Sequence, residues 1–433
     1  MKLAIKLAAV FVVSALAFAQ APAKDRMVVV ISLDGLPAYA LDDPKLPIPT
    51  LRRLMREGAT ARMTSINPTV TWPVHTSMVT GVHADEHGLL ANGSILSTGS
   101  WPPVKVEPML DKEKMVRVPT IYDAAFRAGL ATAQIDWVAI NNAPTITFPF
   151  SEWASTTGPV EREMIGKGVI RAADVENFSK SNILFRDQIW TTAAVYLIRE
   201  HKPNLLLLHL LTLDTVSHGA GPASLPATTA IAFLDSCVER VVEAIRGAGV
   251  GDRTTLIVVS DHGFKGYTRQ IRPAVALAAA GLADKVYVLP EGGSAYVYLD
   301  KSRAAELVPK TIQALAGVEG IDRIITHDGF AALGLAQPDR DPQMYQLLLT
   351  AKSGYVFSGA TGGPVTAATP QQAGGHGYLA SDPEMDVIFI ATGRSVRVGA
   401  NLGRISVIDV APTIANLLGV PLPTAKGKPI PLQ

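Results

Sequence analysis

Three apolar runs in this chain end on residues that bind metal ions. VVVISLDG carries Asp34, LLLLHLLTLDTVSH carries Asp214 and His218, and TLIVVSDHG carries Asp261 and His262. A late GGHGY adds His376. Carboxylates and imidazoles are ligands for zinc-like ions, and three aspartates with three histidines suffice for two such ions. Taken singly, each residue is as compatible with a helix cap or a turn, since polar residues after a strand bond local backbone groups. Their coincidence carries the argument. Asp214 and His218 are four apart, so a helical turn after the strand puts both on one face. Gly263 after Asp261-His262 permits close backbone approach. The chemistry indicated is hydrolysis at a binuclear metal centre.

Such a centre needs a nucleophile. NPTVTWPVHTSMVTG places Thr69 and Thr71 just before an apolar helix whose first turn tolerates Pro73. A hydroxyl there lies beside backbone N–H groups and the positive helix end, which suit a phosphate-like anion. Metal coordination activates such an oxygen. Local pattern alone would make these threonines caps; the metal set is what favours a nucleophile. Asn92, in LLANGS, reads locally as a turn residue before Gly93. His75, His83 and His87 crowd the same segment and read as structural hydrogen-bonders rather than a third metal site.

The elements that must bring these residues together alternate between strand and helix. Strands are expected at Met27–Leu33, Ala131–Ile135, Leu205–Leu211, Thr254–Val259 and Val387–Ala391. Helices are expected at Pro49–Glu57, from Thr71 or Trp72 onward, and at Thr120–Arg127, Arg186–His201, Ala227–Ala248 and Val407–Leu418. The fold class is α/β: a mostly parallel sheet with helices on both faces, a three-layer α/β/α sandwich. In such sheets the active site lies beyond the carboxyl ends of the strands, where distant runs meet. Ser97–Met115 and Asn141–Asn182 read as loop-rich excursions. Residues from about 267 to 373 fall between two ligand groups and read as a cap bordering the site.

Composition narrows the setting. MKLAIKLAAVFVVSALAFAQ has Lys2 and Lys6, an apolar run and Ala17-Phe18-Ala19, the pattern of a signal peptide over residues 1–19 cut before Gln20. That leaves one catalytic domain over 26–433, periplasmic or secreted, with no membrane span after removal of the leader. A net charge of +1 gives no footprint for nucleic acid. The lone Cys237 excludes an intrachain disulfide and any Cys-rich zinc module. The partner expected is a small-molecule phosphate ester; the oligomeric state is not legible.

Several motifs together resemble the alkaline phosphatase superfamily, and within it the nucleotide pyrophosphatase/phosphodiesterase family. SLDGL, TVTWPVHTSMVTGVHADEHGL, LDTVSHGAGP, VVSDHGF and GGHGY resemble that family's motifs in order, and MDVIFIATG and IDVAPTIANLLGVPLP resemble its closing strand and helix. The resemblance implies an alkaline-phosphatase-like fold and a two-zinc phosphodiesterase. It implies Asp34, Thr71, Asp261 and His262 on one zinc and Asp214, His218 and His376 on the other. Thr71 would be the nucleophile, passing through a phosphothreonine, and Asn92 would hydrogen-bond a phosphoryl oxygen. The chain departs from the family pattern at Val74, at Ser217 and at His209, which lies near a place where an aromatic often grips a nucleoside. The alternatives are a phosphomonoesterase of the same superfamily and a non-catalytic binding protein on this fold. A sulfatase is disfavoured because no Cys/Ser-x-Pro-x-Arg segment stands at the nucleophile.

Overall fold

The computed structural model describes residues 23–433, so the expected signal peptide lies outside the described residues. Its centre is the strand Met27–Leu33, buried along its whole length. Because successive side chains of a strand point to opposite faces, this one strand feeds two cores. Val29, Ile31 and Leu33 join one apolar cluster with the helices Pro49–Glu57, Ile183–Glu200 and Leu225–Gly247. Val28 and Val30 join another with the helices Thr71–Thr80, Ile121–Arg127 and Val410–Leu418. A sheet buried on both faces reads as continuous apolar sequence, which is why VVVIS and LLLL are legible as strands. The result is the expected three-layer α/β/α sandwich.

The sheet has eight strands, and every junction is parallel except the two made by Val387–Gly393. Met27–Leu33 lies between Leu205–Leu210 and Thr254–Val259, with Ser32 paired to His209 on one side and to Val259 on the other. That register brings the three strand ends level, and with them Asp34, the segment leading to Asp214, and Asp261. The helix Thr212–Ala220 follows its strand almost directly, and Asp187 from the neighbouring long helix receives its first amides.

The stretch expected as a cap contains a second, antiparallel sheet of Val286–Glu291, Ser294–Leu299, Leu347–Ala351 and Ile321–Thr326. It packs on the segment after the helix Thr71–Thr80: Tyr296 Oη donates to the Leu90 carbonyl at 2.7 Å and the Arg117 guanidinium pairs with Asp341. A three-stranded sheet of Lys265–Ile271, Gly354–Phe357 and Thr366–Gly375 leads the chain out to that region and back to His376. The two excursions are more ordered than expected. Ser94–Ser97 and Val104–Glu107 form a strand pair, and Pro159–Gly166 and Ala172–Glu176 are helical. These pieces are too short for periodicity to reveal them.

Candidate metal centre

Of the seven residues expected on metal, six are carboxylates or imidazoles and the seventh is Thr71. Asp34, Thr71, Asp214, His218 and His376 line one pocket, and Asp261 and His262 stand beside Asp34 behind it. Asp34, Asp261 and His262 are fully buried and offer atoms within 4.8 Å of one another; the half-buried Asp214 and His376 form a second such group with His262. His262 Nε2 stands between the groups, 3.3 Å from both Asp34 Oδ1 and Asp261 Oδ2. Asp214 Oδ1 lies 3.3 Å from His218 Nε2 and 3.7 Å from His376 Nε2. The four-residue spacing of Asp214 and His218 thus does put both on one helical face, at the pocket rim.

The proton positions follow from the second ring nitrogens. His262 Nδ1 faces the Gly263 carbonyl at 3.2 Å, His376 Nδ1 the Thr69 carbonyl at 3.0 Å, and His218 Nδ1 the Gly374 carbonyl at 3.2 Å. A carbonyl only accepts, so each ring carries its proton on Nδ1 and turns an Nε2 lone pair inward. On the carboxylate side, Asp34 Oδ1, Asp214 Oδ1 and Asp261 Oδ2 are buried with no hydrogen-bond donor. Three orphaned anionic oxygens in one enclosure are costly unless a cation joins them. The donor set of three oxygens and three imidazole nitrogens suits zinc. Burial, then the charges of Asp261 and Asp214, push the Asp34 carboxyl well above its ordinary range. Burial lowers His262 to about 4 and His376 to about 3, so both rings are neutral and free to ligate near pH 7. Burial opposes the Asp214 charge, yet the imidazole of His218 3.3 Å away and the nearby rings of His376 and His262 hold it at about 2, since each ring favours the carboxylate as it gains a proton.

Close backbone approach supports this geometry. Gly35 sits at φ 72 and its N–H donates to Asp261 Oδ1 at 3.0 Å. A Cβ there would meet the Phe264 ring at 2.6 Å, so this turn requires glycine.

Thr71 opens the helix Thr71–Thr80 as its first residue, and no side chain caps that helix. Its Oγ1 is 3.3 Å from His262 Nε2, in the pocket rather than on the backbone. The expected set of free helix amides is smaller than the sequence suggests. Trp72 N–H donates to Asn92 Oδ1 at 3.0 Å, Pro73 has no N–H, and Val74 N–H is bonded to the Val70 carbonyl. The bond to Trp72 leaves the Asn92 NH₂ as the free end of that side chain, and Asn92 lines the same pocket as Thr71. Of the three crowding histidines, His75 bonds the Thr71 carbonyl at 2.8 Å and Ser32 Oγ at 2.9 Å, and His87 bonds Ser77 at 3.1 Å. His209 is fully buried and reaches Asp34 Oδ2 at 3.0 Å. Asp136, behind His209, has no signal in sequence, because its partner lies 73 positions away.

The pocket, about 280 Å³, is also lined by Trp72, Trp153, Glu152 and Val138, and no Lys or Arg reaches its wall among the described residues. Lys265 is buried and bound to Asp382 at 2.7 Å and Glu384 at 3.0 Å.

Comparison with known proteins agrees with this architecture. The family description "Type I phosphodiesterase / nucleotide pyrophosphatase" matches residues 28–379. Human ectonucleotide pyrophosphatase/phosphodiesterase family member 5 is 22% identical over 397 residues, 91% of this chain and 74% of that protein. Human family member 7 is 25% identical over 386 residues, 87% of this chain and 77% of that protein. Against mouse family member 1 the match covers 54% of this chain and only 23% of that much longer protein. In solved structures, human member 5 superposes with a TM-score of 0.71 at 18% identity, covering 92% of this chain and 96% of that one. A murine member 5 structure, an inactive threonine-to-alanine variant in complex with AMP, superposes at 0.70 with 19% identity, covering 93% and 97%. The chain therefore belongs to the type I phosphodiesterase / nucleotide pyrophosphatase family of hydrolytic enzymes, in the alkaline phosphatase superfamily.

Proposed function

We propose that this protein is an exported two-zinc phosphodiesterase that works through a phosphothreonine at Thr71. The observation that carries the reading is the set of three orphaned carboxylate oxygens and three inward Nε2 atoms around one threonine hydroxyl. Asp34, Asp261, His262 and the Thr71 oxygen would hold one zinc, and Asp214, His218 and His376 the other. Zinc bound there supplies positive charge that acidifies the attacking hydroxyl and offsets charge on the leaving oxygen. Thr71 Oγ1 forms the new bond to phosphorus, its proton passing to solvent. The ester P–O bond breaks, and its electron pair leaves with the alcohol oxygen, which is protonated on release. Water then attacks the phosphothreonine; its hydroxyl goes to phosphorus and its proton returns to Thr71. The Asn92 NH₂, fixed by the Trp72 N–H on its other end, donates to a non-bridging oxygen as charge builds there. The rigid strand ends contribute by positioning. Mouse enpp4 is named a bis(5'-adenosyl)-triphosphatase and the murine variant above holds AMP, so a nucleotide pyrophosphate is a candidate substrate.

Diesters are preferred over monoesters in this reading. A monoester dianion brings extra charge that favours Arg or Lys donors beside the metals. None lines the pocket among the described residues, and Lys265 is spent on two carboxylates. The antiparallel sheet within 267–373 serves as a cap, and residues 1–19 as an export signal. The first experiment compares bis(p-nitrophenyl) phosphate with p-nitrophenyl phosphate by kcat/KM at one pH. The diester should win; a tenfold preference for the monoester would move the chain to the phosphatase alternative.

A further inference from the structure

The strand Leu205–Leu210 carries one imidazole, His209, in an otherwise apolar and fully buried run. A polar group in such a place is costly unless its bonds are made. Both ring nitrogens make them. Nε2 lies 3.0 Å from Asp34 Oδ2 and Nδ1 3.1 Å from its acceptor, the Asp136 carbonyl oxygen, with the Asp136 carboxylate, buried and without a hydrogen bond of its own, 3.3 Å from the same nitrogen. Asp136 is held for this contact in an unusual way. It is a fully buried non-glycine residue at φ 57, in the sparsely populated left-handed region, and its N–H donates to the Phe150 carbonyl at 2.9 Å. That conformation turns both its carbonyl and its carboxylate to one ring. His75 packs against the same ring, with centroids 4.4 Å apart, so His209 is held at both nitrogens and on a face.

The consequence falls on Asp34. One of its oxygens is occupied by His209, while the other, Oδ1, is orphaned and points toward His262 Nε2 at 3.3 Å. A carboxylate without that hold can rotate and present either oxygen. Neighbours that fix the orientation of a ligand commonly change metal affinity without touching the ion. We propose that Asp136 and His209 form a positioning pair that fixes which oxygen of Asp34 faces the metal pocket. This rests on the reading of Asp34 as a ligand, and the experiment separates the two.

The full-length mature chain carrying Asp214→Ala leaves the Asp34 half to bind zinc, whose affinity is read by competition with a chelating dye. In that background His209→Phe keeps a ring of similar size and removes both bonds; zinc affinity should fall about 10–100-fold. His209→Gln, whose amide still donates toward Asp34, should stay closer to the parent. Asp136→Asn should weaken binding by less than His209→Phe, and adding it to His209→Phe should change affinity no further, because Asp136 acts through the imidazole. Asp34→Asn is the control: if it leaves zinc binding intact, the ligand reading itself fails. If Asp34→Asn abolishes binding while His209→Phe stays within twofold of the parent, the pair has no positioning role. A drop in Tm of the zinc-free protein without a change in affinity marks packing alone and equally overturns the positioning role.

Discussion

The two halves of the donor cluster are held differently. Asp34, Asp261 and His262 sit at the ends of central strands, fully buried, with Gly35 N–H on Asp261 and His209 on Asp34. Asp214 and His218 sit on a helix that follows its strand, His376 on the return from the three-stranded sheet, and the His218 side chain is 46% exposed. The inner half is built by the sheet itself; the outer half is assembled from a helix and a returning strand. In the proposed mechanism the attacking oxygen must be fixed, and Thr71 lies beside the inner half. The departing alcohol and incoming water would need access, which the exposed half would provide. Rigidity and exposure are thus divided between the halves.

Breaking the inner half should have the larger effect. Asp261→Ala should lower kcat/KM by roughly 1,000-fold or more, since an anionic donor and the positioning of the nucleophile are lost together. It should also remove one of two zinc equivalents by elemental analysis. A variant with both equivalents and full turnover would place the nucleophile's metal elsewhere. His218→Ala, in the outer half, should cost roughly 100-fold, the scale of one lost preorganised group. It should make one zinc easier to strip by chelator while the other stays. Equal chelator sensitivity of both equivalents in the wild type would erase the distinction between the halves.

The smallest effect concerns the outer half's support. Asp187 accepts from Leu211 N–H at 3.1 Å and from Thr212 N–H and Oγ1 at 2.9 and 2.6 Å, tying the helix Thr212–Ala220 to the long helix Ile183–Glu200. Burial raises its carboxyl to about 6 in spite of these bonds. A raised folded pKa contributes stability that is full below the ordinary carboxyl range and is lost as pH rises through about 6. Asp187→Asn removes that slope. The stability difference between wild type and variant in urea unfolding should therefore shift toward the variant from pH 4.5 to pH 7. A pH-independent difference would contradict the assignment.

How much of this is legible in sequence depends on locality. The central strands read directly because both of their faces are buried, and the Asp214–His218 pair because one helical turn separates them. Trp72 N–H reads locally as a free anion donor, yet Asn92 takes it from twenty residues away. Asp136 is invisible for the same reason: it follows the expected strand Ala131–Ile135 with no local partner, and only the fold sets it against His209. The short strands and helices within 97–182 lack the length for periodicity to show. Lys265, three residues after His262, shows no partner in the local sequence and is held by Asp382 and Glu384, more than a hundred positions away. Residues fixed by tertiary partners are the ones sequence reading passes over.

The central claim is that the Thr71 oxygen becomes bonded to phosphorus during turnover. Rapid acid quenching of the enzyme reacting with a phosphorus-labelled diester, followed by peptide mapping, tests it most directly. Label should appear on the peptide containing Thr71 and be absent in Thr71→Ala, which should retain its fold and be without turnover. Turnover in Thr71→Ala near the wild-type rate, or label on the peptide only through Thr69, would contradict it.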